Sequence, residues 1–261
     1  EKDMQTYTAE YKEGYEGYSD TWYSGCGISS EEEYNNLKNQ MLTSVYNNGG
    51  FYISQYEIGS SDYVTENDNG ARTPVSKEGM YPYNFITIAQ AQQLSSNMDS
   101  GEKTSSLMFG VQWDLVCKFI ENKGTNPGDT VNTIVDAIKT NSQDWGNTWL
   151  ATFKVFKGKY YDISAKTGWI DIQDEYDKQS RILFSTGATP RNSMLNIYDF
   201  SGNVWEWTLE YSSGYDFNVL RGGSASSHLD HSTANNRVSD YQDWFYTNKG
   251  SIIYGFRITI F

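Results

Sequence analysis

Hydrophobic residues recur at helical spacing in four stretches of the first half of the chain. Ser29 and Ser30 stand before three glutamates at 31–33, which is typical of a helix start because a hydroxyl caps free amides and carboxylates face the positive end of the dipole. The Asn-Gly-Gly run at 48–50 predicts the end of this helix. Thr87 predicts the cap of a second helix. The inner faces of the four predicted helices carry Tyr34, Leu37, Met41 and Val45, then Ile88, Ala91, Leu94 and Met98, then Trp113, Val116, Cys117 and Ile120, and last Val131, Ile134, Val135 and Ile138.

Short strand-like runs replace the helical pattern in the second half of the chain. Aromatic and β-branched residues at 51–58 predict one earlier strand, whereas 59–84 is a predicted loop and 99–106 a polar link. Further strands are predicted at 153–156, 181–184 and 258–261. Because helices come first and short strands among long loops follow, the sequence predicts an α+β fold. We assign residues 31–261 to one domain and residues 1–30 to an N-terminal extension, which lies on the domain or leads in from an upstream segment.

The formal net charge of the 261-residue chain is −13. This acidity argues against a nucleic-acid partner, because phosphate binding needs clustered lysine and arginine. It suits a secreted or surface protein and leaves carboxylates free to bind calcium, although solubility alone would also explain it. No apolar stretch approaches the length of a membrane span, so no membrane insertion is expected within this chain.

The two cysteines, Cys26 and Cys117, are too few for a disulfide framework or a zinc site. The sequence leaves open whether they pair with each other. Cys117 lies on an apolar helical face, which favours a buried thiol.

Three motifs in a fixed order are the most informative feature of the chain. They read DFSGNVWEW at 199–207, RGGS at 221–224 and GFR at 255–257. Their order and spacing resemble the formylglycine-generating-enzyme family, also called the sulfatase-modifying factor family. The resemblance implies that residues 31–261 form a C-type-lectin-like fold of the formylglycine-generating-enzyme type, with few helices, short strands and long ordered loops. Further similar segments lie at 49–57, 74–76, 81–84, 109–114 and 185–192.

The first motif offers oxygen ligands for calcium, which takes about six to eight of them in flexible geometry. Members of the resembled family bind calcium with this spacing, so the resemblance implies a structural calcium ion. The implied ligands are the carboxylates of Asp199 and Glu206 and the backbone carbonyls of Gly202 and Val204. In the alternative interpretation, the two carboxylates cap turns or pair with an arginine of the second or third motif.

Other residues near the motifs are expected to have structural roles. Trp205 and Trp207 are predicted core residues. The two glycines of RGGS are expected to allow tight backbone packing. Arg237 and Arg257 are expected to bridge carbonyls and carboxylates beneath the loop that follows RGGS.

The enzymes of the resembled family use two cysteines between RGGS and GFR to bind copper and oxidise a substrate cysteine. This chain has no cysteine in that interval, and the spacing places Ser227 and Ser232 near those positions. Serine is a poor ligand for copper(I) and lacks thiol redox chemistry, so the sequence predicts no oxidase and no catalytic residue. His228, Asp230 and His231 are close enough in sequence to hold a metal, but chance placement in a polar loop is the favoured interpretation.

The non-enzymatic variable proteins of diversity-generating retroelements share this order of motifs, and the chain resembles them. In those systems adenines of a template are mutated, so that the reachable codons exclude Lys, Glu, Gln, Trp and Met. Residues 221–241 contain none of these five types, although all five occur elsewhere. The excluded types return at Gln242, Trp244 and Lys249, which are then fixed scaffold positions. The resemblance implies a ligand-binding display protein, and a fixed-specificity surface adhesion or structural domain is the alternative.

A rigid scaffold that displays a changeable surface needs small polar residues and aromatic anchors. The expected anchors are Tyr241, Trp244, Phe245 and Tyr246, unless these four pack against the N-terminal extension. The expected partner is a protein or glycan receptor, and the expected location is outside the cell, on a bacterial surface or a phage particle. The predicted ligand-binding residues are Ala225, Ser226, Ser227, His228, Asp230, His231, Ser232, Asn235, Ser239, Asp240, Tyr241, Trp244 and Tyr246.

Overall fold

The computed structural model describes residues 1–99, 101, 103–124, 130–214, 217–228, 232–239 and 250–261. Within these ranges no helix is both long and apolar enough to cross a lipid bilayer. The α-helices in them are α1 (Lys2–Tyr7), α2 (Glu31–Asn48), α3 (Ile88–Ser96), α4 (Gly110–Lys123) and α5 (Val131–Lys139), with short 3-10 helices at Ala9–Tyr11 and Pro190–Asn192.

All four predicted helices are confirmed, as α2 to α5, and local chemistry sets where two of them begin. The Ser30 hydroxyl accepts a hydrogen bond from the Glu33 amide at 3.1 Å, and α2 ends at Gly49 in the left-handed region. At the start of α3, Thr87 and Gln90 exchange side chain-to-backbone hydrogen bonds in a capping box. The sequence did not predict α1.

The strands are short, as the resemblance implied. Predicted strands at 153–156, 181–184 and 258–261 are confirmed to within one residue at each end. The strands of the described ranges are β1 (Tyr18–Ser19), β2 (Tyr52–Ile53), β3 (Gly59–Ser60), β4 (Tyr81–Pro82), β5 (Ser105–Leu107), β6 (Phe153–Val155), β7 (Lys159–Asp162), β8 (Trp169–Asp171), β9 (Tyr176–Lys178), β10 (Ile182–Phe184), β11 (Ser193–Met194), β12 (Ile197–Tyr198), β13 (Trp205–Ser212), β14 (Phe217–Arg221), β15 (Arg237–Ser239), β16 (Tyr254–Phe256) and β17 (Ile258–Ile260).

The strand β13 organises the largest sheet. It pairs antiparallel with β1 and β14 and parallel with β16, and β14 pairs in turn with β15. Every residue of β13 is buried, so the strand is covered on both faces. In the register of this sheet, Glu206 lies opposite Arg221 on one side and Gly255 on the other. The sheet therefore brings the three sequence motifs side by side.

Two apolar clusters flank this sheet. One contains residues of α2 and α3 together with Trp205 and Trp207, which confirms both tryptophans as core residues. The other contains α4 and α5, and there Trp113 stacks on Phe200 with ring centroids 4.1 Å apart. The helices thus bury their predicted faces against the motif-bearing strands, and they hold the sheet that carries the site.

The N-terminal residues lie on the domain and contribute to it. The hydroxyl of fully buried Tyr11 donates to Glu121 at 2.8 Å. The Asp20 carboxylate accepts hydrogen bonds from the Gly110 and Val111 amides at 2.7 and 3.0 Å, where α4 begins. Burial raises the pKa of Asp20 to about 6. Residues 11 and 20 thus pack on the domain.

Three sequence predictions about single segments need correction. The strand predicted at 51–58 is reduced to Tyr52–Ile53, because the chain then turns and buries the Glu57 carboxylate below the motifs. The polar link predicted at 99–106 contains the start of β5, which pairs with β17. The loop predicted at 59–84 contains β3 and β4, which pair with each other. In the last two cases, strands of two or three residues are too short to give a periodic signal in the sequence.

Candidate functional site

The segment between β14 and β16, residues 222–253, is where the sequence predicts a binding surface, and we call it the β14–β16 segment. It leaves β14 at Gly222, which has a φ of +83° and where a Cβ atom would lie 2.8 Å from the Phe200 carbonyl oxygen. A glycine is required there because other residues rarely adopt this conformation and have no room for a side chain. The segment contains β15, which returns to the sheet beside β14.

Four charged side chains form a closed cluster beneath this segment, and we call it the buried quartet. It consists of Arg221 from β14, Arg237 from β15, Asp114 from α4 and Glu210 from β13. Arg221 donates to Asp114 at 2.8 Å and to Glu210 at 2.9 Å. Arg237 donates to the other oxygen of each carboxylate, at 2.5 and 2.9 Å. The two positive and two negative charges therefore compensate each other in a place that water does not reach.

The buried quartet ties the β14–β16 segment to the rest of the fold. Arg221 also donates to the Asn236 carbonyl at 3.1 Å, and Arg237 donates to the Tyr11 carbonyl at 2.6 Å. Burial alone would raise the pKa of Glu210, but the charges of Arg237 and Arg221 hold it below its usual range. The predicted structural role of Arg237 is confirmed.

A second ion pair holds the far end of the segment. The guanidinium of Arg257 donates to both oxygens of Glu206, with Nε–Oε2 at 3.0 Å and Nη2–Oε1 at 2.8 Å. It also donates to the carbonyls of Ser54 and Tyr198 at 2.8 and 2.6 Å. The structural role expected for Arg257 is therefore confirmed, and Glu206 pairs with an arginine of the third motif.

Both carboxylates among the predicted calcium ligands already have hydrogen-bond partners within the protein. Arg257 occupies both oxygens of Glu206, and Asp199 accepts a hydrogen bond from the Gly187 amide at 2.8 Å. Two of the four predicted ligands are thus engaged by protein donors, and the calcium site stays a prediction. Burial raises the pKa of Asp199 to about 7. Among the residues that the structure describes, no three His, Cys, Asp or Glu side chains are grouped to hold a metal.

We expect calcium to have little effect on the stability of this site. An ion present at a hundred times its Kd would stabilise the fold by about 2.7 kcal/mol and raise the Tm by several degrees. Thermal unfolding of the wild type in excess EDTA and in millimolar calcium should therefore give the same Tm. A calcium-dependent rise in Tm that disappears in Asp199→Asn would contradict this interpretation and restore the predicted ion.

The predicted ligand-binding residues divide into four groups. Asp230, His231, Asp240, Tyr241, Trp244 and Tyr246 lie outside the described residues, and so does the anchor Phe245. Of Ser239 only the backbone, in β15, is described. Ala225, Ser227, Ser232 and Asn235 are buried and support the segment from below. Within the described residues, Ser226 is half-buried and His228 is exposed, so these two are available for direct contact.

The described cysteines are placed for packing. Cys26 and Cys117 are both unpaired and buried, and they belong to different apolar clusters. The burial predicted for the Cys117 thiol is confirmed, and burial raises the pKa of both thiols. Near the β14–β16 segment, the Ser227 hydroxyl instead accepts a hydrogen bond from the Ser224 amide at 2.8 Å.

One neighbour of the segment carries no signal in the sequence. Trp149 is half exposed, its amide donates to the Ser227 carbonyl at 3.1 Å, and its ring meets His228 edge-on with centroids 5.2 Å apart. The buried ammonium of Lys178 fixes the turn around Trp149 by donating to the carbonyls of Thr148, Trp149 and Ala151 at 2.6, 3.1 and 2.7 Å. Burial lowers the pKa of Lys178 to about 7. A partly exposed tryptophan is therefore held in a fixed position beside the segment.

Short strands, long ordered loops and helices packed around buried arginine–carboxylate pairs define an α+β domain of the C-type-lectin-like class. The chain belongs to the sulfatase-modifying factor family, because residues 27–260 match the family described as sulfatase-modifying factor enzyme 1-like domain. A search of curated proteins finds no match. Among solved structures, variable protein 1 of Treponema denticola is similar, with 19% identity and a TM-score of 0.26. That match covers 62% of this chain and about half, 49%, of the other.

Proposed function

We propose that this chain is a non-enzymatic display protein, whose β14–β16 segment binds a protein or glycan receptor outside the cell, on a bacterial surface or a phage particle. We further propose that the segment is diversified in the manner of a retroelement variable protein. The observation that carries the proposal is compositional. Residues 221–241 lack all five residue types that adenine mutagenesis of a template does not reach.

The supports of the segment favour this role. The buried quartet and the Arg257–Glu206 pair hold its two ends through side chains that donate to carbonyls and carboxylates in the core. Removing either partner of such a buried pair is costly, so these positions are expected to stay fixed. His228 and Ser226 lie between the two anchors and make no buried ion pair, so they tolerate exchange.

An oxidase function is disfavoured by the chemistry of the same segment. The enzymes of the family need two thiols here, whereas Ser227 and Ser232 stand near those positions. Serine does not bind copper(I) well and does not exchange with disulfides. Cys26 and Cys117 are buried in separate clusters, which leaves neither thiol available to a substrate.

The test is a comparison of the coding sequence for residues 221–257 among sibling isolates of the same source. We expect substitutions to concentrate at codons derived from template adenines, with Arg221, Arg237 and Arg257 constant. The coding sequence for residues 31–220 is the internal control. If the segment varies no more than this control, the retroelement proposal fails and a fixed-specificity binding or structural domain replaces it.

A further inference from the structure

Arg181 differs from the other arginines of the chain in having no polar partner. The chain contains six arginines. The side chains of the other five donate to carboxylates or carbonyls, as in Arg72 with Asp68 and Arg191 with the Gly146 carbonyl. In the part of the chain that the structure describes, no hydrogen bond or ion pair involves the guanidinium of Arg181, and its Nε is buried without a hydrogen-bond partner.

The position of this guanidinium is nevertheless well defined. Its central carbon lies 3.7 Å from the centroid of the Trp149 ring, which is close stacking with a cation–π contribution. Trp149 is itself fixed by two hydrogen bonds: its carbonyl accepts one from the Lys178 ammonium, and its amide donates one to the Ser227 carbonyl. On the backbone side, the Arg181 carbonyl accepts a hydrogen bond from Ile163 at 3.0 Å. The stacked ring orients the planar group but satisfies none of its five N–H donors.

The buried Nε–H of Arg181 is costly, because it loses hydration without gaining an acceptor. The chain carries 33 acidic residues against 20 basic ones, so a carboxylate partner within the chain would be readily available. The absence of such a partner at this position is best explained by an acceptor that comes from outside. A planar guanidinium stacked on an aromatic ring can donate two parallel hydrogen bonds to a carboxylate, which the point charge of an ammonium cannot do.

The surroundings indicate what accompanies that carboxylate. His228 of the β14–β16 segment meets the Trp149 ring at its edge, with an interplanar angle of 67°. Leu150 follows Trp149 in the chain and is 43% exposed. A cation, an aromatic face and an exposed leucine suit an acidic side chain beside an apolar one, which is the chemistry of a peptide segment.

We infer that Arg181, stacked on Trp149, is a fixed carboxylate-binding site at the border of the β14–β16 segment, and that its ligand is an acidic residue with an apolar neighbour on a protein partner. This inference rests on the proposed function and specifies the receptor as a protein. Arg181 lies outside residues 221–257, so the site would serve every diversified version of the segment, while positions such as 228 adjust specificity.

The test is the side-chain Nε–H signal of Arg181 in ¹⁵N-labelled protein, identified by its loss in Arg181→Gln. The probe is the dipeptide Ac-Leu-Glu-NH2, and its uncharged match is Ac-Leu-Gln-NH2. We expect the glutamate peptide to shift the signal saturably and the glutamine peptide to leave it unchanged. We expect Arg181→Lys to weaken binding of the glutamate peptide by about tenfold, because an ammonium lacks the planar pair of donors of a guanidinium. Binding to this variant is followed through the backbone amide signals around Trp149. The variant Lys157→Gln removes the same charge from an exposed pair with Glu78 and should bind as the wild type does.

Two results would overturn the inference. The first is an equal response to both peptides, or a response of the backbone amides around Trp149 that survives in Arg181→Gln. The second is preferential binding of glucuronate, which would make the partner an acidic sugar. Neither result affects the comparison of coding sequences, because that test does not involve position 181. A failure here is therefore distinguishable from a failure of the proposed function.

Discussion

Replacing Arg237 with methionine is expected to lower the free energy of unfolding by about 3–5 kcal/mol, because it leaves two buried carboxylates with one arginine. Asp114 and Glu210 would then share the single charge of Arg221, in a place where the side chains of all four residues are at most 4% exposed. The measurement is urea unfolding followed by tryptophan fluorescence. The matched control is Lys154→Met, which breaks an exposed pair with Glu175 and should leave stability nearly unchanged.

The pH dependence of this loss identifies its cause. In the wild type, Arg237 and Arg221 hold the pKa of Glu210 below its usual range, so the stabilisation that Glu210 contributes persists down to acidic pH. In Arg237→Met the folded state binds a proton more readily than the unfolded state does. The stability difference between the two proteins should therefore narrow as the pH falls from about 8 to about 5. A constant difference, or a variant as stable as the wild type, would show that the cluster does not act through charge. Should Arg237→Met fail to fold, Arg237→Lys retains the charge and gives a smaller loss.

The quartet also shows where prediction from the sequence ends. Local signals were sufficient to predict α2 to α5. A cap such as Ser30 and the apolar spacing after it act within one or two helical turns, so both can be recognised in the sequence. The motifs likewise identified the family. The partner of Arg221 could not be predicted, because Asp114 lies 107 residues earlier in the chain and reads as an ordinary polar helix residue. Its role depends on how α4 packs against the sheet.

The complete burial of β13, the longest strand in the described residues, could not be predicted for a related reason. Strand β13 reads WEWTLEYS and alternates strictly between apolar and polar residues, a pattern that predicts one face in water, yet both of its faces are buried. Glu206 and Glu210 are buried within it, where they pair with Arg257 and Arg237. Charged residues therefore occupy positions at which a core strand is expected to be apolar. Of the two carboxylates that the sequence pattern assigns to calcium, Glu206 is thus used here to pair with Arg257.

Exchanging Gly202 for alanine should be the most damaging small substitution in the motifs. Gly202 has a φ of +81°, and a Cβ atom there would lie 2.2 Å from the carbonyl oxygen of Asn147 and 2.4 Å from its carbonyl carbon. These are backbone atoms, and they cannot move aside because the Asn147 carbonyl accepts the Asn203 amide at 2.8 Å. The substitution combines left-handed strain with a collision, so we expect a loss of at least about 4 kcal/mol or a failure to fold.

A second glycine separates these two contributions. Gly79 has nearly the same φ, +79°, but nothing lies within 4 Å of the Cβ position. Gly79→Ala should therefore cost only the conformational strain, about 1–2 kcal/mol. The measurement is urea unfolding of both variants beside the wild type, with soluble yield and resistance to proteolysis recorded where Gly202→Ala does not refold. Equal losses for the two variants would mean that the approach of Asn147 to Gly202 is not a packing requirement. A much larger loss at Gly202 would show that this contact, which joins the first motif to the turn before Trp149, holds the scaffold beneath the β14–β16 segment.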